Sequence, residues 1–357
     1  MSKILFFPPF EQFPVVGVHI PLLNKDLYNS INEFIKSPSE IFRRIKSPEI
    51  LKIGAAQIFI SSPSTWEVPK FSIEDLKKSR KLLIDNDFFL VIHASYLYNL
   101  HGVKDINNPK FNTNFERTIK NLSIDLDIGV ALDIGVVVHV NSASPAIEEC
   151  SVRIAKCIDE SLTRQSPYTY EISKMLGIGL DEVKKRRKIV LENSAGEGSK
   201  RGKNIYELKT ILGKVRDDLN CQVFICIDTC HLFAAGDYNI SKKEEVVRFF
   251  KDFDTEIGNK KLYVIHLNDS LTPFKSHVDR HANICCGHIW SNISSKGIFK
   301  KDLKHFEALK TLIDECINRD VPMIMETPGD VAQGINFVYN IDKIVYDDTY
   351  LYQLIQD

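Results

Sequence analysis

The chain has 357 residues, 44% of them hydrophobic and 26% charged, and a formal net charge of −1. That length and balance suit one large α/β domain with a sizeable core and exclude a disordered or fibrous chain. A charge so near zero excludes a globally basic nucleic-acid binder, so any contact with DNA has to come from a local patch.

Taken in chain order, the hydrophobic pattern predicts strands alternating with helices. Val15 to Ile20 is the first strand, and Lys25 to Ile50 is mixed and helix-leaning around Pro38 and Pro48. Ala55 to Ile60 is the second strand, followed by the turn-rich Ser61 to Trp66 and a helix over Ile73 to Asp85. Phe88 to Ile92 leads to His93, and a long helix over Thr113 to Leu132 follows, with Asn112 or Thr113 as its cap. Gly135 to Val138 leads to His139, and Ala146 to Leu162 is helical. Ile189 to Leu191 leads to Glu192, with a helix over Ile205 to Leu219. Val223 to Ile227 leads to Asp228, with a helix over Lys242 to Ile257. Leu262 to Ile265 leads to His266, an extended loop spans 268–299, and Lys301 to Ile317 is helical. Pro322 to Met325 leads to Glu326, and Val331 to Ile355 closes the chain, partly helical.

Eight strand–helix units predict parallel strands with right-handed crossovers. They close naturally into a single-domain (β/α)8 TIM barrel over 1–357. An open doubly wound sheet is the alternative, but no Gly-x-Gly-x-x-Gly follows the first strand. Residues 163–187 read as an insertion, ending in the basic run Lys184-Lys185-Arg186-Arg187-Lys188. Such a run is ordinarily a solvated helix face, with a DNA-backbone or targeting role as the alternative. No apolar run reaches membrane-spanning length, and Ile4-Leu5-Phe6-Phe7 is cut off by Pro8-Pro9. The eight cysteines form no CxxC pair. A soluble intracellular protein, cytoplasmic or nuclear, with free thiols is the expectation.

The strand ends carry the chemistry. His93, His139, Glu192, Asp228, His266 and Glu326 each follow a buried apolar run. In a barrel those ends share one face, where loops build the site. His231 follows Asp228 by three residues, and the spacing of Asp279-x-His281 aims both side chains the same way in an extended segment. One such position is more often a helix cap or a packed histidine. Six at one rim would be costly to desolvate unless cations neutralise them. Imidazole and carboxylate ligands suit Zn2+ and also admit Mn2+ or Fe2+. The set is large enough for two or three ions, a constellation suited to hydrolysing a phosphate ester. Glu192, mid-barrel, is the candidate bridge between ions. His19 reads as a core or supporting residue, and His288 as a solvated loop residue.

The sequence resembles the endonuclease IV family of apurinic/apyrimidinic endonucleases. The match is carried by Leu191 to Gly198 (LENSAGEG), Ile227 to Gly236 (IDTCHLFAAG), His266 to Ser270 (HLNDS) and Asp279-Arg280-His281, with support from His93 to Leu97 and Glu326-Thr327-Pro328. The resemblance implies a trinuclear zinc site. His93, His139 and Glu192 would hold one ion. Glu192, Asp228, His266 and Glu326 would hold a second, and His231, Asp279 and His281 the third. Glu192 would bridge and position a metal-bound hydroxide. The implied reaction is hydrolysis of the phosphodiester 5′ to an abasic site in duplex DNA, giving a 3′-hydroxyl and a 5′-deoxyribose phosphate, with trimming of blocked 3′ ends. Tyr96 and Trp66 match positions near the DNA, and a monomer is expected.

Some loop positions depart from the family pattern. Ser64 stands where an arginine is usual, Ala94 where an aspartate is, Val140-Asn141 where Pro-Gly is, and Cys285-Cys286-Gly287 where Gly-Glu-Gly is. These departures predict altered substrate handling with the chemistry retained. Two other functions compete: a divalent-metal sugar isomerase or epimerase on the same barrel, and a non-catalytic metal-containing DNA-binding protein. The former needs fewer ions, so His231 and Asp279-x-His281 argue against it. The latter predicts a lost ligand, and all nine positions are filled.

Overall fold

The computed structural model describes residues 14–36, 54–102, 109–141, 147–293, 299–300, 303–328, 331–339 and 341. Eight parallel strands close in sequence order: β1 Val16–Ile20, β2 Ala55–Ile58, β3 Phe89–His93, β4 Val136–His139, β5 Ile189–Glu192, β6 Val223–Asp228, β7 Leu262–His266 and β8 Met323–Met325. The open sheet is thereby ruled out, because β1 pairs with β8 through Val16↔Met323 as well as with β2 through Gly17↔Ala55. Among the described residues no helix is long and apolar enough to cross a membrane.

Side chains alternate along a strand, so residues two apart face the same way. Ala55, Val91, Val137, Val190, Cys226, Val264 and Ile324 form one apolar cluster inside the barrel. Two residues further along each strand lie Gln57, His93, His139, Glu192, Asp228, His266 and Glu326. The polar ring is therefore the next layer above an apolar plug. Gly17, two residues before His19, takes the corresponding position in β1; a Cβ there would lie 2.0 Å from the Ala55 carbonyl oxygen.

The floor of the plug depends on a bulge in β7. Ile225 pairs with Leu262 but Cys226 with Val264, which leaves Tyr263 as the extra residue. Its ring packs against Phe89 and Phe224, with centroids 5.7 and 5.4 Å away. Its hydroxyl accepts the Gly135 N–H at 3.0 Å.

Most predicted helices are present, with two corrections. The long helix runs Pro109–Leu132, so Asn112 and Thr113 lie inside it and not at its start. Proline suits the first turn, where its missing N–H would be unpaired in any case. The helix expected over 205–219 breaks into Ile205–Leu212 and Asp217–Asn220, with Gly213 at the end of the first piece. Helical character expected beyond Lys36 and beyond 341 lies outside the described residues.

Residues 163–187 contain the short helices Thr169–Leu176 and Leu180–Lys185. They pack on the Pro109–Leu132 helix through a buried ion pair. Asp127 accepts from Ser166 Oγ and Thr169 Oγ1, both at 2.6 Å, and from Arg187 Nε at 2.8 Å. Arg187 Nη1 donates to the carbonyls of Ser161, Leu162 and Arg164 at 2.7–2.9 Å, which caps the end of the Ile147–Thr163 helix. The basic run is thus not uniformly a solvated face: Arg187 is fully buried. Lys184, Arg186 and Lys188 pair with Asp181, Glu182 and Asp133. Asp127→Ala would strand a buried guanidinium, so a loss of about 3–5 kcal/mol in urea unfolding is expected. A loss below about 1 kcal/mol, the scale of an exposed pair, would refute this account of the insertion.

A second buried acid sits on the same helix. Tyr98 Oη donates to Asp125 Oδ2 at 2.9 Å, while Asp125 Oδ1 has no hydrogen-bond partner. Burial pushes the Asp125 carboxyl up to about 7, with the Tyr98 hydrogen bond opposing. Between about pH 4 and pH 7 the native state holds a proton that the unfolded chain has released. Wild-type stability contributed by this group is therefore full at low pH and lost as pH rises through that window. Relative to Asp125→Asn, the wild type is expected to lose up to about 4 kcal/mol across it and to change no further above it. Urea midpoints of the two proteins between pH 4 and pH 8 read this directly, and parallel curves would contradict it.

Candidate metal centre

Each of the nine sequence-predicted ligands lies at the C-terminal mouth of the barrel. His93, His139 and Glu192 offer ligand atoms within 4.8 Å of one another, as do Glu192, Asp228, His266 and Glu326, and as do His231, Asp279 and His281. Glu192 belongs to two of these groups. Its Oε2 lies 3.3 Å from His93 Nε2 and 3.4 Å from His139 Nδ1. Its Oε1 lies 3.2 Å from His266 Nδ1 and 3.5 Å from His231 Nδ1. His266 Nδ1 also lies 3.1 Å from Glu326 Oε2. In the third group Asp279 faces His231 Nε2 at 3.1 Å and His281 Nε2 at 3.3 Å.

Local folding explains how His231 arrives. Asp228 ends β6 and caps the helix Thr229–Ala235, its Oδ1 accepting the His231 N–H at 2.8 Å. The expectation of a helix cap is met by this carboxylate. Its Oδ2 remains 3.4 Å from His281 Nε2. Asn193 and Asn268 hold it in place: Asn193 Oδ1 accepts the Asp228 N–H at 2.6 Å, and Asn268 Nδ2 donates to Asp228 Oδ2 at 2.6 Å.

The outer ring nitrogens set which atoms are free. His93 Nδ1 lies 2.8 Å from the Ala94 carbonyl, His231 Nδ1 2.9 Å from that of Asn193, and His281 Nδ1 3.4 Å from that of Glu326. A carbonyl only accepts, so each of these Nδ1 atoms donates outward and Nε2 is the atom turned inward, toward the carboxylates. The Nε2 atoms of His231 and His281 are buried and face the carboxylates of Asp279 and Asp228 at 3.1–3.4 Å. Imidazole nitrogens aimed at carboxylate oxygens in a dry site fit a divalent cation between them, which would take the place of the His231 proton.

The electrostatics show what such ions would relieve. Burial opposes charge on Glu192, yet His139 and His266 hold its carboxyl well below the ordinary range. Burial also works against His231, but Asp228 and Asp279 outweigh it and push the ring up to about 10. Burial takes His139 down to about 4 against the pull of Glu192. Protons thus stand in where divalent ions would neutralise the carboxylates. Cys230 could join Asp228 and His281 in a fourth group. Burial pushes its thiol well up, and Sγ donates to the Arg280 carbonyl, so it stays protonated there. All eight cysteines are free thiols.

Gln57 went unassigned from sequence. It is fully buried, donates through Nε2 to Glu326 Oε1 at 2.6 Å, and accepts from His266 Nε2 at 2.8 Å. This sets the His266 tautomer and leaves Nδ1 for Glu192 and Glu326. The available signal was its inward parity with Ala55. His19, 3.4 Å from Gln57, supports the same side, and burial takes its ring down to about 4. His288 is exposed, as expected.

The candidate ligands open into a pocket of about 270 Å³ whose rim includes Tyr96, Asn141, Ser194 and Lys200. Tyr96 is 53% exposed, its ring 5.4 Å from that of His93 and 5.6 Å from that of His139. Trp66 is half-buried and stacks on Tyr98 at 5.9 Å, away from the residues that line the pocket. Asn141 takes φ 65, a left-handed backbone that asparagine tolerates better than most residues.

Fold and site together define a xylose isomerase-like TIM barrel, and the model of that family matches residues 50–341. A protein of Acanthamoeba polyphaga mimivirus named as an endonuclease 4 is 33% identical over 313 residues, covering 86% of this chain and 87% of its own. The apurinic-apyrimidinic endonuclease 1 of Saccharomyces cerevisiae is 27% identical, covering 78% of this chain and 65% of its own. The chain belongs to the endonuclease IV family. The crystal structure of endonuclease IV from Thermus thermophilus shares the fold, with TM-score 0.65, 24% identity, and coverage of 93% of this chain and 100% of that one.

Proposed function

We propose that this protein is a zinc-dependent DNA-repair endonuclease. It hydrolyses the phosphodiester 5′ to an abasic site in duplex DNA, leaves a 3′-hydroxyl and a 5′-deoxyribose phosphate, and trims blocked 3′ ends. The carrying observation is the convergence of nine imidazole and carboxylate side chains into three groups, two of which share Glu192. Three Zn2+ ions per chain are assigned to these groups, with Mn2+ tolerated at one or more of them. Bound divalent ions supply Lewis acidity at the phosphate and lower the pKa of water.

The chain's own residues do the rest. Glu192 links two groups through its two oxygens and so sets their separation. Asn193, Asn268 and Gln57 hold Asp228, Glu326 and His266 at fixed angles. The site lies in a pocket of about 270 Å³ at the mouth of the barrel, so the target nucleotide has to leave the duplex stack to reach it. Tyr96, exposed at the rim, is placed to pack against the flanking DNA. Trp66, stacked on Tyr98, supports the neighbouring loop. The protein acts as a monomer in this reading. The decisive test is a duplex with one abasic site, incubated with purified protein with and without chelator. Absence of incision at every metal loading would sink the proposal.

A further inference from the structure

One side chain at the pocket mouth is not used by the ligand groups. Among the described residues that line the pocket, Lys200 is the single lysine or arginine, beside the carboxylates Glu192, Asp279 and Glu326. Its Nζ lies 2.7 Å from Glu197 Oε2, and Glu197 Oε1 accepts the Asp279 N–H at 2.8 Å. The ammonium is therefore tethered to the loop that carries Asp279 and His281.

The segment around it is built to hold a position. Lys200 N–H donates to the Glu197 carbonyl at 3.0 Å, and Arg201 N–H to that of Asn141 at 3.1 Å. Ser194 Oγ donates to the Arg201 carbonyl at 3.0 Å, and Gly202 N–H to Glu207 Oε2 at 2.9 Å. Gly198 turns this loop at φ 56 with open space where a Cβ would stand, so backbone conformation and not crowding calls for glycine. A half-exposed lysine–glutamate pair adds little stability. Its consequence is a positive charge fixed at the entrance of an acidic pocket. An ammonium has three donors, and Glu197 takes one, which leaves donors for an anion.

We propose that Lys200 is a phosphate-binding residue, contacting a DNA phosphate that flanks the hydrolysed one. This rests on the phosphodiesterase reading above. The contact offsets the repulsion between substrate and the pocket carboxylates, and it fixes the register of the strand over the site.

The test uses metal-loaded wild type, Lys200→Met and Lys200→Arg in single-turnover incision of an abasic duplex. A matched series of duplexes replaces one flanking phosphate at a time with a neutral methylphosphonate. Lys200→Met is expected to lower kcat/KM about 10- to 100-fold. It should reduce the salt dependence by about one released ion. Metal content and Tm should stay at wild-type values, and Lys200→Arg should recover most of the rate. One methylphosphonate position should cost the wild type a similar factor and cost Lys200→Met nothing. Wild-type kcat/KM with an unchanged salt slope in Lys200→Met would overturn the assignment. So would full additivity at every phosphate, or metal loss that accounts for the defect. Failure of the wild type to incise any duplex would overturn the underlying reading instead.

Discussion

Glu192→Gln is expected to abolish incision of an abasic duplex while leaving the barrel folded. Each Glu192 oxygen faces two imidazole nitrogens at 3.2–3.5 Å. The amide is nearly isosteric, so the apolar plug beneath it keeps its packing. Its NH2 end cannot act as an anionic ligand, however, and one of the two groups loses its shared oxygen. Losing one preorganised electrostatic contact typically costs 10²–10³ in rate, and a bridging ligand also sets the geometry of two ions. We therefore expect kcat to fall at least about a thousandfold, with metal content reduced. Single-turnover incision, metal analysis and circular dichroism on the same preparation read the three effects. Wild-type turnover in this variant would remove Glu192 from the bridging role.

Chelation is expected to have an effect of comparable size on activity and a further one on stability. Four carboxylates and five imidazoles crowd one mouth of the barrel, and Glu192, Asp228 and His266 are at most 1% exposed. Without ions their charges are balanced only by protons, so stripping should lower Tm as well as end incision. An ion present at a thousandfold excess over its Kd stabilises by about 4 kcal/mol per site. Reloading with Zn2+ should restore both properties and release protons, because Asp228 and Asp279 push His231 up to about 10 in the ion-free site, against burial. Never-stripped protein should contain about three ions per chain. A value near one would contradict the three-group assignment, as would a chelated protein that incises at the full rate.

The ring of candidate ligands was legible because strand parity is a local property. Val91-x-His93, Val137-x-His139 and Val190-x-Glu192 each read as an apolar inward residue followed by a polar one, and closure of the barrel places them side by side. Gln57 obeys the same parity behind Ala55 but was given no role from sequence, because an amide does not announce itself as a ligand. Its role exists only through Glu326 and His266, more than 200 residues away. The burial of Arg187 was not legible for a related reason. Within Lys184 to Lys188 it is one basic residue among five. Only the packing of three helices around Asp127 buries it and turns it into a helix cap. The misplaced start of the Pro109–Leu132 helix reflects capping residues that also occur inside helices.

The sequence by itself determined the alternation of strand and helix, the positions of nine candidate ligands, and through its motifs the family. These are carried by side-chain chemistry and by spacing within a few residues. Tertiary structure alone decided the grouping of ligands, the nitrogen that each imidazole presents, and the support that Gln57, Asn193 and Asn268 provide. It also decided that Lys200 stands at the pocket mouth. Those properties depend on distances between segments remote in sequence, and only closure of the barrel sets such distances.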